Sequence, residues 1–330
     1  MCQRSRARPA RAPLDTHYSR NPRRRRRRVA APESLTVSVV TYSPGGHLDT
    51  FLDSLRLATT RPYRVVVADN GSTDGAPERA AARPEVTLLH TGANIGYGAA
   101  HNAALAGVTD GWVAVANPDV RWEPGSLDTL LEASRRWPRG GAFGPAILDA
   151  DGALYPSARE LPTLGRGIGH VLCGWWWPGN PWTRSYRKER GIPAEGPAGW
   201  LSGSCLLLPV EAFHRVGGFD DSYFMYFEDV DLGARLGRAG WLSVHVPSAV
   251  VIHTGAHATA QAADRMRDEH HRSAFRYLSR LYPGRQHAPL RWTLAAGLWA
   301  RAALSRVVGR VGQGAAPQRH SELLDSETRR

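Results

Sequence analysis

The stretch LTVSVVTYSPGG, Leu35 to Gly46, decides the fold. Its first eight residues form an apolar, β-branched run, bounded by Pro32 before it and SPGG after it. Such a run reads as a strand buried on both faces. The next segment, HLDTFLDSL, sets Leu48, Phe51, Leu52 and Leu55 at helical spacing. The alternation then repeats. YRVVVADN reads as a strand, a helix follows Asp74, VTLLH is a strand, and AAHNAALAG is a helix. WVAVANPD is a fourth strand, GSLDTLLEASRRW a fourth helix with Ser126 as its N-cap, and AFGPAIL a fifth strand. This order predicts an α/β fold, a Rossmann-like, mostly parallel open sheet with flanking helices.

Beyond residue 150 the pattern weakens. Residues 155–200 are rich in Pro, Gly and Trp and read as loop. WLSGSCLLLP restores a strand, and EAFHRVGGF is a short helix stopped by glycine. An acidic helix, the strand material WLSVHVPSAVVIH and a charged helix over Ala262–Leu281 follow. The second half lacks its own run of alternating elements, so residues 34–284 are expected to form one domain, with a C-terminal helical extension over 285–312. Residues 1–33 and 313–330 are expected to be disordered tails.

The formal charge of +12 belongs mostly to one tail. Residues 1–28 hold eleven arginines against the single acid Asp15, leaving about +2 for the rest. The run Arg23–Arg28 cannot pack against itself and reads as a solvated extension. No nucleic-acid partner is expected, since the remaining chain is nearly neutral and lacks RNA-binding motifs. Cys2, Cys173 and Cys205 are few and widely spaced, which excludes a disulfide scaffold or zinc ribbon and fits a reducing cytoplasm. No apolar run reaches the roughly 18 residues of a membrane span.

In open α/β sheets, ligands bind beyond the carboxyl ends of the strands. All four early strand ends here are polar: Thr41-Tyr42-Ser43, DNGSTDG from Asp69, TGANIGYGAAHN, and Asn117-Pro118-Asp119. Asp69 reads equally as a nucleoside contact or an Asx-turn residue. Gly96 and Gly98 permit close backbone approach, but G-x-G-x-x-G is absent, which argues against a nicotinamide cofactor. Asp119 closes an apolar strand and suits Mg²⁺, a cation that keeps waters and takes substrate phosphates; the plainer reading is a turn aspartate. Further on, in YFMYFEDVDL, four rings run into Glu228, Asp229 and Asp231. That segment is either a capped helix start or a carboxylate held against a substrate.

Taken in order, VVTYSPGGHL, ADNGSTDG, TGANIGYGAAHN, ANPDV, GWLSGSCLL and YFMYFEDVDL resemble family 2 glycosyltransferases of the GT-A fold. YPSARELPTL, NPWTRSYRKER, GWLSVHVPSA and APLRWTL narrow the resemblance to its actinobacterial branch that moves rhamnose onto a lipid-linked sugar. It covers about residues 35–300. It implies dTDP-L-rhamnose as donor and polyprenyl-diphosphate-linked N-acetylglucosamine as acceptor, with residues 34–150 as the nucleotide-sugar half and 151–284 as the acceptor half. Thr41, Asp69 and Asn94, with Gly96 and Asn102, would hold the donor. Asn117 and Asp119 stand where the family has its DXD motif, Asn117 replacing the first acid. Asp119 and His253 would bind Mg²⁺ or Mn²⁺, and Mn²⁺ suits the imidazole better. Asp229 would be the general base of an inverting transfer, Glu228 would position the acceptor, and Asp231 would be structural. Trp200, Ser202 and Gly203 would form the acceptor loop, with the Trp200 ring stacking on sugar.

A lipid-linked acceptor implies a membrane partner. Between Leu290 and Val311, Leu290, Leu294, Leu298, Leu304, Val307 and Val308 share one helical side, interrupted by Arg301. Arg291, Arg306 and Arg310, with Trp292 and Trp299, fall largely on the other. The segment is expected to lie on an anionic membrane surface, placing the protein peripherally at the inner face of the plasma membrane. The cluster Trp175–Trp177 with Trp182 reads as either a small satellite core or a lipid-touching surface.

Overall fold

The computed structural model describes residues 34–162, 194–255 and 263–297. The tryptophan cluster at 175–182, the arginine run and the chain beyond 297 lie outside the described residues.

The quoted run is β1 (Leu35–Thr41), buried along its whole length. It lies between β2 (Arg64–Asp69) and β4 (Trp112–Ala116), parallel to both. A strand with parallel neighbours on both sides has no edge or solvent face, so apolar residues occupy successive positions. β3 (Val86–His90) pairs parallel outside β2. The crossovers are α1 (His47–Ala58), α2 (Ala76–Ala80) and α3 (Tyr97–Leu105). β5 (Val120–Trp122), α4 (Ser126–Arg136) and β6 (Gly140–Leu148) follow β4. Next come the short strands β7 (Leu154–Tyr155), β8 (Ala158–Arg159), β9 (Gly196–Ala198) and β10 (Trp200–Leu201). The last elements are β11 (Cys205–Pro209), α5 (Val210–Arg215), α6 (Glu228–Arg238), β12 (Leu242–His253) and α7 (Ala263–Leu281).

The main sheet runs β3-β2-β1-β4-β11-β6-β12-β5. The expected parallel order therefore breaks at β11, which is antiparallel to both β4 and β6. Because β11 sits in the middle, strands from before and after residue 150 form one continuous sheet. WLSGSCLLLP is two strands, because β10 leaves the main sheet to pair antiparallel with β8. Side-chain alternation divides the core. Val37, Val39, Ala114 and Ala116 pack with α1 and α4, whereas Val113 and Val115 pack with α3, α5 and α6. Ser126 is not the cap of α4. Gly125, at φ 72°, takes that position, and Ser126 is a buried first-turn residue. The left-handed conformation needed there suits glycine.

Candidate active site

The carboxyl ends of β1 and β4 open into a cleft of about 600 Å³, lined by residues from 40 to 270. Register explains how distant residues meet there. β12 pairs antiparallel with β5, setting His253 opposite Val120 and hence beside Asp119. Asp119 Oδ1 lies 3.1 Å from His253 Nε2, Oδ2 accepts from Gly255 N–H at 3.1 Å, and Asn117 Nδ2 lies 3.1 Å from the same His253 nitrogen. Burial pushes the Asp119 carboxyl up, but the hydrogen bond and charge of His253 outweigh it and hold it below its ordinary value.

Asn117 N–H also donates to Ser204 O at 3.0 Å, tying this floor to the loop between β10 and β11. That loop carries Gly203, whose N–H donates to Asp229 Oδ2 at 2.9 Å, while Tyr97 Oη donates to Gly203 O at 2.6 Å. Asp119 and Asp229, 110 positions apart, thus line one cleft and are linked through residues 203–204.

The environment of Asp229 is the reverse of that around Asp119. Burial raises its affinity for a proton, only partly offset by the N–H groups of Gly203 and Val230 and by the charge of Arg159. Beside it, Glu228 is 6% exposed and its Oε2 has no hydrogen-bond partner among the described residues. Burial, and then the charge of Asp229, push Glu228 up to about 8. At neutral pH the proton of this pair belongs on Glu228, because Asp229 receives two backbone donors and Glu228 Oε2 receives none.

The segment before this pair is strained. Tyr226 and Phe227 both have φ of 66°, a left-handed conformation that costs non-glycine residues roughly 1–3 kcal/mol each. The surroundings hold it in place. Tyr97 N–H donates to Phe224 O at 3.0 Å, Ser273 Oγ donates to Met225 O at 2.9 Å, and the His270 ring packs edge-on against Tyr226 and Phe227. The turn ends at Phe227, the N-cap of α6, so Glu228, Asp229 and Asp231 occupy a first helical turn whose dipole favours negative charge. Both readings of YFMYFEDVDL therefore hold, as a helix start and as acids facing a cleft. Asp231 is structural, pairing with Arg235 at 2.6 Å. Tyr223 is fully buried, while Phe224, Tyr226 and Phe227 line the cleft, Phe227 also packing against the cluster of Trp200, Tyr223 and Tyr277.

Of the residues singled out from sequence, Thr41, Asn94, Asn117, Asp119, Trp200, Ser202, Gly203, Glu228, Asp229 and His253 line this cleft. Three do not, and each has a local reason. Asp69 is 4% exposed, and its carboxylate is occupied by Thr41 Oγ1 at 3.0 Å and by Ser72 N–H and Oγ–H. It is the anchor of an Asx-type turn. Gly96, at φ 94°, lets the start of α3 meet the strained turn, since a Cβ there would lie 2.5 Å from Phe224 O. Asn102 donates to Phe219 O and Asp221 Oδ1 and accepts from Phe219 N–H, bracing a loop away from the cleft. The Trp200 ring packs with Tyr223, Val230 and Tyr277 and is 8% exposed, so packing and not an open stacking face accounts for it.

Sequence reasoning missed Asn70, Tyr97 and Arg159 in the lining. Tyr97 and Arg159 fall inside the motifs NIGYG and YPSARELPTL, but residue type alone gave them no role. Among the described residues no cluster of three or more His, Cys, Asp or Glu side chains is placed to hold a metal ion. A divalent cation here would take Asp119 and His253 and complete its shell with water and substrate oxygens. Mg²⁺ and Mn²⁺ accept that arrangement.

Comparison with known proteins agrees with this architecture. Residues 36–217 match the family model described as Glycosyl transferase family 2, and residues 191–310 that of Glycosyl transferase family group 2. The chain is 56% identical over 282 residues to the N-acetylglucosaminyl-diphospho-decaprenol L-rhamnosyltransferase of Mycobacterium tuberculosis H37Rv, covering 82% of this chain and 92% of the relative. It is 28% identical over 257 residues to Rhamnosyltransferase WbbL of Escherichia coli K12, covering 74% and 92%. Among solved structures, the mannosyltransferase PcManGT of Pyrobaculum calidifontis, in complex with GDP-Man and Mn²⁺, aligns with TM-score 0.51 and 19% identity over 87% of this chain and 80% of that one. GalNAc-T7 with UDP, GalNAc and Mn²⁺ aligns with TM-score 0.51 and 14% identity over 68% and 44%. At these identities the structural likenesses establish the GT-A fold.

Proposed function

The chain belongs to glycosyl transferase family 2, and from that premise we propose that it moves L-rhamnose from dTDP-L-rhamnose onto polyprenyl-diphosphate-linked N-acetylglucosamine. The transfer inverts the anomeric centre and makes the linker disaccharide between peptidoglycan and arabinogalactan. The observation that carries this reading is one cleft lined by two differently tuned acids, Asp119 held down by His253 and Asp229 raised by burial.

Asp229 acts as general base. Its oxygens are oriented by Val230 N–H at 2.8 Å and Gly203 N–H at 2.9 Å, and each keeps a lone pair for the acceptor hydroxyl proton. Proton removal during attack contributes roughly 10²–10⁴ in rate. Glu228, protonated, keeps a second negative charge away from Asp229 and can donate to the acceptor. On the other side, Asp119 and His253, with Asn117 beside them, would hold a divalent cation, which when bound would supply counter-charge for the departing nucleoside diphosphate. Thr41 and Asn94, which line the cleft, would contact the donor.

The acceptor brings the protein to an anionic membrane at the inner face of the plasma membrane. None of the described helices is long and apolar enough to cross a membrane. The helical stretch 288–297 leaves Trp292 76% exposed, and Phe275 and Leu281 of α7 are also exposed. Arg291 donates to Tyr282 O and Gly284 O, fixing this stretch to the end of α7. An exposed tryptophan suits the headgroup region. Flotation with anionic liposomes tests this; a chain truncated after residue 285 should remain in the pellet, and equal flotation contradicts the membrane reading.

The activity is tested by incubating the purified protein with Mn²⁺ or Mg²⁺, dTDP-L-rhamnose and a polyprenyl-diphosphate N-acetylglucosamine analogue. Mass spectrometry should find the disaccharide lipid, and chelation should abolish it. Product only from another nucleotide sugar, such as a galactofuranosyl donor, would replace the donor assignment while keeping the family.

A further inference from the structure

Several arginines of the described chain pair with carboxylates. Arg83 pairs with Asp53, Arg136 with Glu195, Arg235 with Asp231 and Arg280 with Asp220. Arg159 has no carboxylate partner among the described residues. Among the described residues it is also the one arginine or lysine in the cleft lining, beside the acids Asp119, Glu228 and Asp229.

Its side chain is nonetheless fixed. β8 pairs with β10 so that Arg159 sits opposite Trp200. The guanidinium carbon lies 5.5 Å from the Trp200 ring centroid and 5.5 Å from that of Tyr155, and Nε donates to Pro156 O at 2.9 Å. Two rings and one carbonyl hold the group, while among the described residues neither terminal nitrogen has a hydrogen-bond partner. A planar fork held in this way matches two oxygens of a phosphate, and a lysine would not reproduce it. The packed position of Trp200 gains a purpose here, because the ring serves the arginine.

The charge lies on the base's side of the cleft. It pulls the Asp229 carboxyl down, and Trp200 is three residues from Gly203, whose N–H holds Asp229. In the transfer proposed above, the donor diphosphate is met at the Asp119–His253 end. The acceptor brings a second diphosphate, one sugar ring away from the attacking hydroxyl. We propose that Arg159, clamped between Tyr155 and Trp200, binds the diphosphate of the lipid-linked acceptor and so sets the distance from that anion to Asp229. This inference rests on the reading that the acceptor carries a diphosphate.

The test compares wild type, Arg159→Ala and Arg159→Lys on two acceptors, farnesyl-diphosphate N-acetylglucosamine and the uncharged octyl N-acetylglucosaminide, with thermal melts to confirm folding. Loss of a charged hydrogen-bond pair predicts that Arg159→Ala raises KM for the diphosphate acceptor about 10- to 100-fold, leaving KM for dTDP-L-rhamnose unchanged. On the octyl glycoside wild type and variant should be equally slow, and Arg159→Lys should recover only part of the loss. An unchanged acceptor KM, equal losses on both acceptors, or a raised donor KM in its place each overturns the assignment; the last would point to the donor's diphosphate. If wild type transfers no rhamnose to either acceptor, the functional reading fails on its own. Calorimetric titration of farnesyl-diphosphate N-acetylglucosamine into wild type and Arg159→Ala then decides the inference separately. Weaker binding by the variant supports it, and equal binding or none to either protein overturns it.

Discussion

The floor of the cleft, on the ends of β1, β4 and β12, and its wall, on residues 199–204 and 223–229, treat their carboxylates in opposite ways. On the floor the acid is satisfied. Asp119 is met by His253 and Gly255 and is held below its ordinary value, and Asp69, buried behind the floor, is likewise surrounded by the hydroxyl and N–H groups of Thr41 and Ser72 and held down. On the wall Glu228 has an oxygen with no partner, Asp229 is raised, and the preceding turn contains two left-handed non-glycine residues. Satisfied, ionised groups on rigid strand ends suit a fixed cation and diphosphate. Under-satisfied groups on a strained turn suit a step in which a proton is gained. Opposed environments for two acids of one site assign their roles.

The contrast can be broken most severely at the base. Asp229→Asn should lose roughly 10²–10⁴ in kcat while keeping its thermal melt; a wild-type rate contradicts the assignment. Asp119→Ala should lose about 100-fold or more, together with most of the response to added Mn²⁺. Full metal dependence in that variant would remove the floor from the account. Gly96→Ala probes the turn itself, since its Cβ would meet Phe224 O at 2.5 Å in a backbone with φ of 94°. The variant should lose about 1–3 kcal/mol in a denaturant melt and show reduced turnover. An unchanged melt would mean that the turn relaxes freely.

A smaller effect at neutral pH is expected from Glu228→Gln. The folded-state value of Glu228, about 8, lies above its ordinary 4.5, so the folded protein holds this proton more tightly than the unfolded chain does. Its contribution to stability is complete below about pH 4.5 and is lost as pH rises through about 8. Glutamine cannot ionise. The difference in melting temperature should therefore shift in favour of the variant between pH 5 and 9, as read by melts across buffers. A constant difference would show that Glu228 is already ionised.

Much of the floor was legible in the sequence, because a strand buried on both faces writes itself as a continuous apolar run and its ligand-facing end is where the polarity changes. Asp119 and Asn117 were found by that rule. The wall was less legible. β8 and β10 are each two residues long, too short to show alternation, so the clamp around Arg159 left no periodic trace. β11 reads as a strand, but nothing in an apolar run encodes its direction, and the antiparallel insertion went unforeseen. Asn102 was misread as a donor contact because its partners, Phe219 and Asp221, lie 117 and 119 positions away. Asp69 carried two readings of similar weight, and its own turn decided between them. For His253, the resemblance drew the residue to Asp119 and the β5–β12 register explains the meeting physically.

The most direct measurement is the pH dependence of kcat/KM at saturating Mn²⁺ for wild type and Asp229→Asn. Burial of Asp229 places the rising limb of the wild-type profile above the ordinary aspartate value of 3.8, with activity increasing as the carboxyl loses its proton. That limb should vanish from the residual activity of the asparagine variant. The same limb at the same position in both proteins would show that another group removes the proton, and the division between floor and wall would lose its chemical meaning.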